Sequence, residues 1–415
     1  MLTSLNSLGL GAALRALALA LAASSVALAP PAAQAQTSTN KAAKKPAAKK
    51  PGAKASSKKP AKRTPARAKP RKNAPPSAIA GAAASPGMLA ATAATAAALA
   101  GDSAAAAAHS AMKASGTAAR TTADILAASP PEAWRDPDPQ DIVLMEFKLG
   151  TQAEPAQVIM ELAPRLAPAH VANVRALVRG GFFDGLSVLR VQDNFVTQWG
   201  DGGEGTAARP LPAGAQAKVP AEFDAPLAGL PFHALAENDG WSSLNGFVDG
   251  FPVAAEPSKT PQGRAWLAHC YGNVGAGRGN EIDSSNGSSL YAVIGQAPRS
   301  LDLNITSVGR VLRGIEHLAA LPRGGGAMGF YAGSESKPPL VRARLLADVP
   351  EAERLSVKVL RTDTPTWFEL LHNRRNRSGW FVHNVGRVDL CSTTVPVRIN
   401  MPAAPASPTS NTTPK

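Results

Sequence analysis

Three residues of this chain sit at a spacing suited to chemistry without a nucleophile: Arg190, Phe195 and Gln198. They fall within Val188 to Asp201, which reads Val-Leu-Arg-Val-Gln-Asp-Asn-Phe-Val-Thr-Gln-Trp-Gly-Asp. The polar run Gln192-Asp193-Asn194 separates two β-rich stretches. The pattern therefore predicts a strand holding Arg190, a turn, and a second strand from Phe195 to Gln198. Side chains alternate between the faces of a strand, which places Phe195 with Thr197 and Val196 with Gln198. Arg190 precedes the turn, where a long fork-shaped donor reaches over the second strand. An arginine and a glutamine beside a phenylalanine make a small apolar floor edged by hydrogen-bond donors. The same spacing also fits an ordinary hairpin with one solvated arginine.

Other reactive side chains offer less. His269-Cys270 has no second Cys or His at metal-ligand spacing and reads as part of a core strand. The histidines are scattered, and no Ser-His-Asp arrangement can be argued from them. Gly275-x-Gly277-x-Gly279 and the Gly324 to Gly329 run lack the strand-to-helix context of a phosphate loop. Cys270 and Cys391 are too few for a disulfide scaffold and fit either one bridge or two buried thiols.

The elements that must position such a site occupy only part of the 415 residues. The formal charge is +14, and the fourteen Lys and Arg between Lys41 and Lys72, with no acid among them, equal the whole excess. Residues 1–35 read as a signal peptide. An apolar run from Ala16 to Ala29 is too short to span a bilayer, and the small-residue site Ala33-Gln34-Ala35 sets cleavage after Ala35. An uncleaved membrane anchor is the alternative. Residues 36–73 are a Lys/Ala/Pro repeat, in which proline interrupts any helix and like charges repel, so an extended disordered tether is expected. Residues 74–133 are an alanine-rich linker without a large apolar stripe to bury. The composition shifts at Pro130-Pro131, and the folded part begins near Trp134.

Ile142 to Leu149 and Ala156 to Leu162 are short apolar stretches joined at Gly150-Thr151-Gln152, a hairpin signal. Leu166, His170, Val174, Leu177 and Val178 recur at helical spacing within Pro164 to Arg179, before Gly180-Gly181. Phe182-Phe183-Asp184-Gly185 then leads into the arginine strand. Residues 202–262 form a long Gly/Pro/Ala-rich connection. Within it Leu235 to Pro257 reads as an inserted arm near the mouth of the site. Beyond it lie Gly263 to Cys270, the segment Ser285-Asn286-Gly287-Ser288-Ser289-Leu290-Tyr291-Ala292-Val293-Ile294, and a helix from Leu312 to Leu321. In residues 348–401 a helix starts at Thr364-Pro365. Phe381-Val382-His383 and Val388 to Val397 read as strands, and 402–415 as a disordered tail.

Taken in order, these segments resemble the cyclophilin family of peptidyl-prolyl cis-trans isomerases over about 142 to 347. Arg190, Val191, Phe195, Gln198, Gly200 and Asp201 stand where the family carries its Arg-Val, Phe and Gln-Gly-Gly-Asp residues. Phe182 to Gly185, Val219-Pro220-Ala221-Glu222-Phe223 and Asn286-Gly287-Ser288 match further family segments. The resemblance implies a mainly β fold: a closed, antiparallel, eight-stranded barrel with two flanking α-helices. To this are added a C-terminal α/β elaboration packed on the barrel and the long disordered N-terminal region.

The activity it implies is cofactor-free, metal-free isomerisation of X-Pro bonds in unfolded or extended exported polypeptides. Rotation about such a bond is slow because twisting destroys amide resonance, a barrier of ~18–20 kcal/mol. By the resemblance Arg190 is the catalytic donor, with Phe195 and Gln198. Val196, Tyr291, Leu301, Ser289 and Leu290 bind substrate. Ser289 and Leu290 depart from the family's Gln and Phe, and Tyr291 replaces a Phe but keeps the ring. Arg299 or Ser300 stands where many members carry Trp, and Asn304 or Ile305 where a His is usual. These departures imply a weak or narrow isomerase, or a proline-binding chaperone or scaffold module without turnover. Export places the chain in a periplasm or outside the cell as a monomer. There the basic tether would meet anionic envelope polymer or lipid rather than nucleic acid.

Overall fold

The computed structural model describes residues 84–115, 120–202 and 208–400. The expected signal peptide, tether and C-terminal tail lie outside the described residues.

In chain order the described part opens with α1 (Pro86–Ala114), α2 (Thr122–Ala127) and β1 (Trp134–Arg135). Next come β2 (Ile142–Phe147), β3 (Ala156–Leu162), α3 (Pro168–Arg179), β4 (Ser187–Val191) and β5 (Val196–Gly200). Five short strands follow: β6 (Ala225–Pro226), β7 (Phe232–Ala234), β8 (Leu244–Val248), β9 (Phe251–Glu256) and β10 (Arg264–Leu267). The chain continues through β11 (Asn273–Ala276), β12 (Ser289–Val293), β13 (Ser307–Arg313), α4 (Ile315–Ala319) and β14 (Leu340–Leu345). It ends with β15 (Ser356–Leu360), α5 (Pro365–Arg375) and β16 (Val397–Asn400).

Eight strands form one antiparallel sheet in the order β14-β2-β3-β13-β11-β12-β5-β4. Backbone bonds from Val188 N to Pro338 O and from Leu340 N to Leu186 O bring its two edge strands together into a barrel. The alternation of β2 explains why its sequence is apolar at every position but Glu146. Val143, Met145 and Phe147 join the interior with Met160, Trp199, Leu290 and the α3 residues Val174 and Leu177. Ile142 and Leu144 face outward and are covered by Leu346, Leu355 and Val357. A strand buried on both faces has no polar side to show. The packing of the C-terminal extension onto the barrel is thereby accounted for.

Three expectations are corrected here. The stretch Leu235 to Pro257 is not a simple arm: residues 225–256 supply four strands of a five-stranded antiparallel sheet, ordered β6-β10-β9-β8-β7, which β10 completes from just beyond the 202–262 connection. The alanine-rich linker is not a linker but contains α1, capped at Ser85, which lays Ala91, Ala94 and Ala98 on one face of that sheet. Small side chains let the helix approach closely, so no large apolar stripe is required. The other sheet face, through Phe247, Ala254 and Trp266, packs on Trp367, Leu370 and Leu371 of α5. The third correction concerns residues 381–383 and 388–396, which are irregular; only Val397–Asn400 forms a strand there. The exposure of Trp380 to Val385 leaves those side chains without the sheet face that β-branched and aromatic residues prefer.

Candidate active site

Arg190 and Gln198 are cross-strand partners in the β4–β5 pair, and a bulge between Val188 and Arg190 fixes the offset. Bulges re-aim side chains, and here Val188 and Val191 enter the interior while Arg190 does not. Its guanidinium carbon lies 5.8 Å from the Phe195 ring centroid and 5.2 Å from that of Phe330. The Nε is buried and has no hydrogen-bond partner among the described residues. Burial lowers the Arg190 pKa from its ordinary value, against an opposing influence of Tyr291.

Across the next ladder Gln198 pairs with Tyr291 and Val196 with Val293. Val196, Tyr291 and Val293 form a buried apolar group outside the barrel interior, with Phe195, Leu301 and Ile305 packed around it. Gln198 Nε2 donates to Ser289 Oγ at 2.8 Å. The structure thus brings Arg190, Phe195, Val196, Gln198, Ser289, Tyr291 and Leu301 to one face.

Two expectations about this face are corrected. Leu290 is directed into the barrel interior beside Trp199, as the alternation about Tyr291 demands, so it is not available to a substrate. Phe195 does not share a face with Thr197. It precedes β5, within the turn at Asn194, whose positive φ of 52° releases Phe195 from the strand's alternation to pack with Val196. Asn194 Oδ1 accepts from Gln296 N at 2.9 Å, tying this turn to the 3-10 segment Ala297–Leu301 that presents Leu301. Arg299 is internal rather than at the rim, its guanidinium held by Asp239 at 2.7 Å and Asp302 at 2.9 Å.

Several contributors were not foreseen from sequence. Phe330 comes from a distant loop and carried no signal. Gly275 makes room for a ring: an added Cβ would meet Tyr291 Oη at 2.2 Å. Behind the Tyr291 ring, His269 Nε2 is 2.8 Å from Tyr291 Oη, and His269 Nδ1 is 2.9 Å from Asp302 Oδ1. His269 does fall in the core, and its neighbour Cys270 is disulfide-bonded to Cys391, 121 residues later.

An apolar floor with a desolvated cationic donor at its edge can seat a proline ring and hydrogen-bond a twisted amide. Comparison with known proteins decides what carries this arrangement. Residues 145–340 match the family described as cyclophilin type peptidyl-prolyl cis-trans isomerase/CLD. Over these residues the chain carries a cyclophilin-type isomerase domain. Proteins named probable peptidyl-prolyl cis-trans isomerase from Brucella suis and Brucella abortus are each 28% identical to it over 211 residues, covering 51% of this chain and 85% of theirs. The crystal structure of a cyclophilin from Hirschia baltica superposes with a TM-score of 0.52 at 27% identity, covering 68% of this chain and 98% of that one. This domain gives the chain peptidyl-prolyl cis-trans isomerase activity, and cyclophilins bind proline-containing peptides.

Proposed function

We propose that this cyclophilin accelerates X-Pro isomerisation in exported or envelope proteins. Phe195, Val196, Tyr291 and Leu301 seat the proline ring. Arg190 donates to the amide nitrogen as it becomes pyramidal in the twisted state. Such a donor stabilises the transition state more than the planar ground state, where that nitrogen accepts poorly. Gln198 positions the arginine or the substrate carbonyl, and Ser289 in turn holds Gln198. The observation that carries the reading is the Arg190 guanidinium, held over Phe195 beside the Val196–Tyr291 floor with its Nε unpaired.

Export is supported by the apolar run Ala16 to Ala29 and by the Cys270–Cys391 bridge, since disulfides persist in oxidising compartments. The basic stretch Lys41 to Lys72 would then act on anionic envelope polymer or lipid. A proline-peptide isomerisation assay of the wild-type chain against Arg190→Ala tests the catalytic reading. Equal peptide binding with no rate enhancement by either protein would favour a binding module. That second reading is supported by the short side chains of Ser289 and Ser300, which leave little to grip residues flanking the proline.

A further inference from the structure

We propose that His269, oriented by Asp302, is a positioning residue that holds the Tyr291 ring in place as the floor of the proline site by accepting a hydrogen bond from its hydroxyl. The inference rests on the isomerase reading above and extends it to residues that touch no substrate.

Tyr291 is 3% exposed, and a buried hydroxyl without a partner is costly. Its oxygen faces His269 Nε2 at 2.8 Å, with the two rings nearly parallel at 16°. The direction of this bond follows from the other side of the imidazole. Asp302 Oδ1 lies 2.9 Å from His269 Nδ1 and 3.0 Å from the His269 backbone N. Its Oδ2 accepts from Trp266 Nε1 at 3.1 Å and Arg299 Nε at 2.9 Å. Burial pushes the Asp302 carboxyl up, but the bond from His269 and the charge of Arg299 outweigh it, so Asp302 is held below the ordinary carboxylate range. An ionised carboxylate only accepts, so Nδ1 carries the proton. In the neutral imidazole Nε2 is then an acceptor, and Tyr291 must donate.

Tyr291 thereby spends its one proton on His269. It has none to offer a substrate, and its outward contribution is the ring face and the oxygen lone pairs. The space is cut to this pose, because Gly275 has no Cβ to displace the hydroxyl end. Ser307 Oγ, 3.4 Å from His269 Nε2 and 3.0 Å from Asn273 Oδ1, closes the remaining side. The relay also reaches the inserted segment, because Arg299 pairs with Asp239 as well as Asp302. The insertion thus supports the proline site from behind.

The test uses the full chain with its disulfide intact and three variants: His269→Leu, Tyr291→Phe and the double variant. A proline-containing test peptide is followed by isomerisation kinetics and by titration, with urea melts alongside. His269→Leu is expected to raise KM and the peptide Kd about tenfold, since small misplacements at a site are amplified. The penalty should shrink severalfold in the Tyr291→Phe background, where no hydroxyl is left unpaired. Lower stability with KM and Kd unchanged would make the histidine merely structural and overturn the proposal. Should His269→Leu not fold, nitrogen-15 spectra of histidine-labelled wild-type chain decide. The expected signature is a His269 protonated at Nδ1 and bare at Nε2; a protonated Nε2 overturns the proposal. If wild-type and Arg190→Ala chains both lack rate enhancement, the isomerase reading alone fails, because titration and tautomer still report on His269.

Discussion

Arg190 stands opposite Gln198 on adjacent strands, and the two side chains have different partners. Gln198 is fixed by Ser289 Oγ at 2.8 Å, whereas Arg190 lies between the rings of Phe195 and Phe330 with an unpaired Nε. One is anchored and the other is stacked with donor capacity left over. Arg190→Ala should lower kcat/KM for a proline peptide by about a hundredfold, the scale seen when a transition-state donor is removed. Arg190→Lys should recover little, because an ammonium neither stacks on two rings nor presents a planar fork. Full activity in the lysine variant would refute the role given to the guanidinium.

Gln198 offers a subtler check. Replacing Ser289 with Ala removes the acceptor that fixes the Gln198 amide while leaving the proline floor intact. We expect kcat/KM to drop by about three- to tenfold, on the scale of one lost hydrogen bond. Progress curves with the peptide substrate will read it, and an unaltered value would place Gln198 outside the mechanism.

The Asp302 carboxyl gives stability a pH dependence whose sign can be worked out. Its native pKa is depressed below the ordinary 3.8. Its contribution is therefore present in full above that unfolded value and is lost as pH falls through the native one. Urea midpoints of wild type and Asp302→Asn should differ most near neutrality and converge towards the acid end. A gap that widens on acidification would contradict the assignment.

Reduction of the Cys270–Cys391 bridge should destabilise the fold by about 2–4 kcal/mol, because a closed loop of 121 residues restrains the unfolded chain. Cys391→Ser should reproduce the loss. Calorimetry with and without reductant measures it, and insensitivity of the melting temperature would exclude a stabilising bridge.

The helix α1 allows a different kind of test. Ala91 is buried where α1 meets the inserted sheet, so Ala91→Asp places a charge in an apolar contact. The cost of about 2–3 kcal/mol should release the helix rather than unfold the barrel. Limited proteolysis is then expected to cut within Pro86–Ala114 while isomerase kinetics stay unchanged. Resistance equal to wild type would show that this contact contributes little.

Much of the barrel could be read in advance because its signals are local. The short apolar stretches Ile142 to Leu149 and Ala156 to Leu162, the helical recurrence from Leu166 to Val178 and the turn at Asp193-Asn194 each constrain a few neighbouring residues. Phe195 escaped the rule of alternation because one left-handed residue, Asn194, intervenes. Helix α1 escaped because alanine is buried by closeness of approach rather than by bulk, which a search for large apolar stripes cannot register. The inserted sheet was hidden by strands of two to six residues among Gly and Pro. Its stability comes from α1 on one face and α5 on the other. His269, Asp302 and Phe330 reach the site through contacts distant in sequence, and no local pattern marks them.

The sheet formed by β1, β15 and β16 joins residues 134–135 to 356–360 and 397–400. A polypeptide delivered N-terminus first, by a ribosome or through a membrane pore, holds β1 without its partner until residue 360 has emerged, and β15 without its second neighbour until residue 400 has. This sheet is therefore completed only once residues 397–400 are available. Anything that stalls the chain before residue 397 leaves an open edge able to recruit other strands.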